Sequence, residues 1–136
     1  MSYLIARALA VVDYPISHVY DVAEFEQYRT PILGQCRAPD ELIAEYCGTN
    51  EIVLVSIDSE FRGKWVRSGV LRKENVEVIV YPDLIGLRTQ VERVVLCYPH
   101  WQAALTQRPY GFRVWTYGKQ ANQRVPVLDT RASKTG

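Results

Sequence analysis

The segment EIVLVSI at 51–57, cut off by Asp58, limits the fold more than any other stretch of the sequence. A strand with one wet face alternates apolar and polar residues. A nearly continuous apolar run marks a strand covered on both faces, as in parallel sheets lined by helices. VEVIVYP at 76–82 repeats the pattern.

The stretches between these runs read as helices. YLIARALAVV (3–12) is Ala-rich and apolar nearly all round, which predicts a buried helix ending near residues 13–15. ISHVY (16–20) is short and β-branched and predicts a strand. Residues 21–37, with Pro31 and Gly34, predict an irregular or partly helical connection. APDELIAEYCG (38–48) has the grammar of a compact helix: Pro39 and two acids at the start, Leu42, Ile43 and Tyr46 as an apolar stripe, Gly48 at the end. Residues 61–75 are basic and hold two glycines, so a loop and a short helix are expected. Residues 86–107 predict a long helix that Pro99 kinks or divides.

YGFRVWTYGK (110–119) alternates and predicts an exposed-edge strand. Its aromatics fall on both faces, so one face suits a second subunit, a partner protein or the long helix. RVPVLD (124–129) adds a short strand. Helices and strands therefore alternate, which points to an α/β domain of three layers with a mostly parallel sheet flanked by helices.

A chain of 136 residues, 48% hydrophobic and 23% charged, is expected to form one domain over 1–130, with 131–136 as a flexible tail. The net charge of +1 excludes the strongly basic footprint of a dedicated nucleic-acid binder but not an enzyme that grips a few phosphates. Cys36, Cys47 and Cys97 form no CxxC pair, and His18 and His100 are far apart, so zinc ligation is not expected. No apolar run reaches the roughly 18–20 residues of a membrane span. Arg7 interrupts the apolar start, which makes a poor signal peptide, so a cytoplasmic location is expected.

Open α/β sheets bind ligands beyond the carboxyl ends of their strands. Asp58 stands at such an end, and Glu60 follows at i+2, within reach if the chain stays extended. Asp40 and Glu41 open the helix that precedes this strand, and a helix start lies on the same side of the sheet. Asp40 and Asp58 are thus expected to converge. Gathered carboxylates repel one another unless a cation neutralises them, and an all-oxygen set suits Mg2+ or Mn2+. The plain alternatives are a helix-start role for Asp40 and Glu41 and a turn-opening role for Asp58.

The basic group Arg62, Lys64, Arg67, Arg72 and Lys73 follows at once and suits either RNA phosphates or a solvated helix face. Trp65 and Trp101 suit base stacking less well than core packing. His18 reads as structural, and His100 has no nucleophile motif beside it. GxxxxGK[ST] and GxGxxG are both absent.

PDELIAEYC together with EIVLVSIDSEFRGK resembles PIN-like domains related to the toxin ribonucleases of bacterial toxin–antitoxin pairs. In that family an Asp opens a helix, and a following strand ends in Thr/Ser-x-Asp-x-Asp-Phe. Here the second motif is SIDSEF at 56–61, with Glu60 where Asp is more usual. YLIARAL resembles the family's first helix and ISHVYDV its second strand. The similarity covers roughly residues 3–105, and only the two acidic motifs are specific. The family's first strand, which ends in an Asp ahead of that helix, has no counterpart here.

The resemblance implies metal-dependent hydrolysis of RNA. It implies Asp40 and Asp58 as ligands of Mg2+ or Mn2+, with Glu60 as a further ligand or water-orienting base; apart from the resemblance, Arg62 and Lys64 of the basic group, next to the acidic motif, are expected as substrate contacts. The resemblance further implies a homodimer and a silencing antitoxin partner. Two other readings stand beside it: a non-catalytic PIN-like protein that works through protein contact, and an unrelated α/β module with a small-molecule pocket.

Overall fold

The structure, a computed structural model, describes residues 3–81, 86–106, 109–117 and 125–131. The chain divides into two compact units, 1–43 and 44–136. The division cuts one continuous helix, which is described whole with the second unit.

In the first unit, α1 (Tyr3–Val11) buries only Ile5, Ala6 and Leu9. Leu4 is 69% and Val11 81% exposed, so the helix predicted to be buried all round is covered along one stripe. Residues 16–20, predicted as a strand, enter two successive 3-10 turns, Val19–Asp21 and Ala23–Tyr28. The reason is local. His18 caps the first turn, its Nδ1 accepting the Tyr20 backbone N–H at 3.1 Å. A side chain that satisfies the backbone nearby competes with strand pairing. Tyr3 packs edge-on against His18 and Tyr20, and Gly34, at φ 81°, sits where a Cβ would collide with Tyr3.

In the second unit, α2 (Asp40–Thr49) leads into β1 (Leu54–Ser56). A 3-10 turn (Ser59–Arg62), α3 (Lys64–Arg67) and α4 (Val70–Lys73) follow. Then come β2 (Glu77–Val80), α5 (Leu87–Thr106), β3 (Arg113–Thr116) and β4 (Val127–Leu128). Among the described residues the sheet order is β1-β2-β3-β4; β1, β2 and β3 are parallel, and β4 is antiparallel to β3. The protein is therefore α/β with a mostly parallel sheet.

β3, predicted at an exposed edge, lies inside the sheet because β4 pairs with its far side at Trp115 and Thr116. β1 is shorter than its apolar run, half-buried and at the sheet's edge. The run 76–81 fits the both-faces-covered pattern, since every residue from Val76 to Tyr81 is buried. Pro99 sits inside α5 without dividing it. Residues 82, 107, 118–119, 124 and, of the predicted tail at 131–136, all but Arg131 lie outside the described residues.

Two devices hold α2 in place. Its buried face is Ala44 and Cys47 rather than Leu42, Ile43 and Tyr46, because small side chains allow close approach. That approach is tight at Gly48, where a Cβ would stand 1.8 Å from the Glu74 carbonyl oxygen. Past the helix, the Tyr110 hydroxyl lies 2.9 Å from the Cys47 carbonyl and 3.1 Å from that of Ile52.

The inner strands β2 and β3 open on a buried charge pair. Glu77 is fully buried in β2, and Arg113 is its register partner in β3. The Arg113 Nε donates to Glu77 Oε2 at 2.8 Å, and the Trp115 indole N–H donates to the same oxygen at 2.6 Å. A buried carboxylate persists only when so paired.

No helix among the described residues is long and apolar enough to cross a membrane.

Candidate metal centre

The chain leaves β1 at Ser56 and turns at once. The Ser56 hydroxyl accepts the Asp58 backbone N–H at 3.0 Å. Asp58 Oδ1 in turn accepts the Glu60 backbone N–H at 2.9 Å, so Asp58 caps the 3-10 turn Ser59–Arg62. Phe61, 3% exposed, is the buried residue of that turn, which lies near β2 and β3. The turn-opening role anticipated for Asp58 is real, and it uses one of the two carboxylate oxygens. The extended path anticipated for Glu60 is replaced by a coil, yet the cap keeps Glu60 beside Asp58.

Asp40 is the first residue of α2, next to Pro39, whose carbonyl accepts the Ile43 N–H at 3.1 Å and so opens the helix. The helix dipole favours an anion there. Asp40, Asp58 and Glu60 each present a carboxylate oxygen, and these oxygens all lie within 4.8 Å of one another. Asp40 and Asp58 are half-buried, and Glu60 is exposed. Glu41, the other acid of the helix start, faces solvent and lies outside the group.

Three hard oxygen donors at this spacing fit a divalent cation such as Mg2+ or Mn2+, and they disfavour softer ions that prefer sulfur or imidazole. Among the described residues, no Lys or Arg forms an ion pair with Asp58 or Glu60.

The basic group splits in two. Arg62 ends the 3-10 turn and is half-buried; Lys64 opens α3, is exposed, and lays its ammonium 4.6 Å from the centre of the Trp65 ring. Arg72 stacks on Phe112 at 4.6 Å, and the Phe112 N–H bonds Asn75 Oδ1 at 3.2 Å. Phe112 and Asn75 precede β3 and β2, so Arg72 belongs to the amino ends of those strands, the opposite edge from Asp58. Trp65 and Trp101 are buried, at 8% and 7% exposure, and cannot stack bases. His18 is a cap, and His100 is exposed on α5.

The Glu77–Arg113–Trp115 group escaped sequence reasoning. Its signal was an acid inside an otherwise apolar strand, with an arginine at the matching place in the next strand.

The fold and this site together define an α/β protein with an acidic cluster at the carboxyl end of an outer strand. No family model, curated protein or solved structure matches the chain.

Proposed function

We propose that the protein is a metal-dependent ribonuclease of PIN-like type, with a three-layer α/β architecture, and that it acts as the toxin of a toxin–antitoxin pair. The observation that carries this reading is the meeting of Asp40, Asp58 and Glu60 within 4.8 Å at the tip of β1. The resemblance of PDELIAEYC and SIDSEF to PIN-like motifs supports it.

In this reading Asp40 and Asp58 would hold Mg2+ or Mn2+, with Glu60 as a further ligand or as the base that orients water. Such an ion, when bound, would supply charge stabilisation at the phosphoryl group and a more acidic water. Asp58 owes its orientation to its own cap bond and to Ser56. Glu60, the exposed member, receives the proton of the attacking water. Water adds to phosphorus as the bond to the ribose oxygen breaks, that oxygen leaves with a proton taken from solvent, and the strand is cut. Arg62 and Lys64, which follow the acidic loop directly, serve as contacts for the RNA backbone.

The test is RNA cleavage with Mn2+ by the parent chain and by Asp58→Asn. The parent is expected to cut and the variant to be inactive while still folded. A variant that cuts as fast as the parent removes Asp58 from the ligand set.

A second reading, a non-catalytic PIN-like protein that acts by protein contact, is favoured by Val91, Val95 and Leu96 on α5, which are 38%, 41% and 50% exposed. Such a face suits a second copy or an antitoxin partner.

A further inference from the structure

We infer that Arg67 binds a phosphate of the RNA strand beside the acidic cluster, a role that rests on the ribonuclease reading and names a residue outside its motif. Arg67 ends α3 and is exposed. Its side chain folds back on the loop that carries Glu60. A Cβ on Gly63 would stand 3.2 Å from Arg67 Nη1, so the guanidinium lies against Gly63. Gly63 closes the 3-10 turn, its N–H donating to the Glu60 carbonyl at 3.1 Å, and its own carbonyl accepts the Arg67 N–H at 2.9 Å. The sequence from Glu60 to Arg67 is thus one short, hydrogen-bonded piece of structure with an acid at one end and a guanidinium at the other.

Arg67 has no carboxylate partner among the described residues. The other arginines of the second unit in the described segments are held elsewhere or lie apart. Arg72 is on Phe112, Arg93 on Tyr117, Arg113 on Glu77, and Arg131 on Asp129; Arg88 pairs with Glu92 on α5. Arg62, half-buried at the end of the 3-10 turn, is the exception, and it is the RNA contact already proposed. A planar guanidinium whose donors are uncommitted among the described residues is the group best shaped for a phosphate. A backbone phosphate against Arg67 sets the neighbouring linkage of the strand toward the carboxylates.

The experiment is anisotropy of labelled single-stranded oligouridylate over a range of salt, with and without Mn2+, for the parent, Arg67→Ala, Arg67→Lys and Arg72→Ala. Calorimetric Mn2+ titration accompanies each variant. Arg67→Ala is expected to weaken RNA binding about tenfold, the worth of one charge-assisted hydrogen bond. It is also expected to lower the slope of log affinity against log salt by about one. Arg67→Lys recovers the salt slope but only part of the affinity, and Arg72→Ala and Mn2+ affinity stay unchanged. Parental RNA affinity and salt slope in Arg67→Ala overturn the inference, as does an equal loss in Arg72→Ala or a parent that binds no RNA. A parent that binds RNA through Arg67 but takes up no Mn2+ overturns the metal reading and leaves the phosphate contact standing.

Discussion

At the amino ends of β2 and β3 a carboxylate is buried among its own partners, while at the carboxyl end of β1 three carboxylates gather at a rim. Glu77 takes donors from Arg113 and Trp115 and is closed to solvent. Asp40, Asp58 and Glu60 crowd within 4.8 Å, with Glu60 exposed. The difference teaches where charge serves the fold and where it is kept for something else. A buried acid must be neutralised by the chain itself. An acid at the rim is screened by water and leaves room for a cation.

Breaking the interior pair has the largest expected effect. Glu77→Ala strands the Arg113 guanidinium, which is 11% exposed, beside an indole N–H that has lost its acceptor. Urea denaturation is expected to show a loss of about 3–5 kcal/mol, as when one partner of a buried ion pair is removed. A loss under about 1 kcal/mol would mean the pair is as replaceable as a surface one.

The interior also sets a response to alkali. Burial raises the Cys47 thiol from its ordinary 9.0 to about 11 and the Tyr110 phenol from 10.0 to about 12. Burial, more than any other influence, pushes Tyr81 and Tyr117 up as well. These groups hold their protons longer when folded. Their contribution is complete below about pH 8, fades from about pH 9, where the unfolded thiol is half ionised, and goes on falling as pH rises toward the folded values. The urea midpoint is expected to fall steadily between about pH 9 and about pH 12. A midpoint that rises over that range would contradict the burial of these groups.

The smallest effect belongs to the rim, and it separates capping from ligation. Asparagine caps as well as aspartate, so Asp58→Asn should hold metal-free stability within about 0.5 kcal/mol, and relief of repulsion works in its favour. Asp58→Ala should lose about 1 kcal/mol with the cap. Equal thermal unfolding of Asn and Ala variants would show that the cap bond contributes nothing.

The two regions were not equally legible. The apolar run 76–81 announced the central strand, and the order helix start, strand, acid was enough to bring Asp40 and Asp58 to one rim. ISHVY misled because β-propensity says nothing of a histidine that bonds the next turn's backbone. Leu42 and Tyr46 misled because an apolar stripe does not reveal that the tight contact runs through Ala44, Cys47 and Gly48. The place of β3 depended on β4, a pairing of two residues too short to leave a periodic signal. Glu77 and Arg113 are 36 residues apart, and only the parallel register joins them.

The central claim is that Asp40, Asp58 and Glu60 share one divalent cation. Calorimetric Mn2+ titration of the parent against Asp40→Asn and Asp58→Asn tests it most directly. One bound ion in the parent, with affinity lost in both variants, is the expected result. Parental binding that survives in both variants, or a parent that binds no Mn2+ at all, would contradict it.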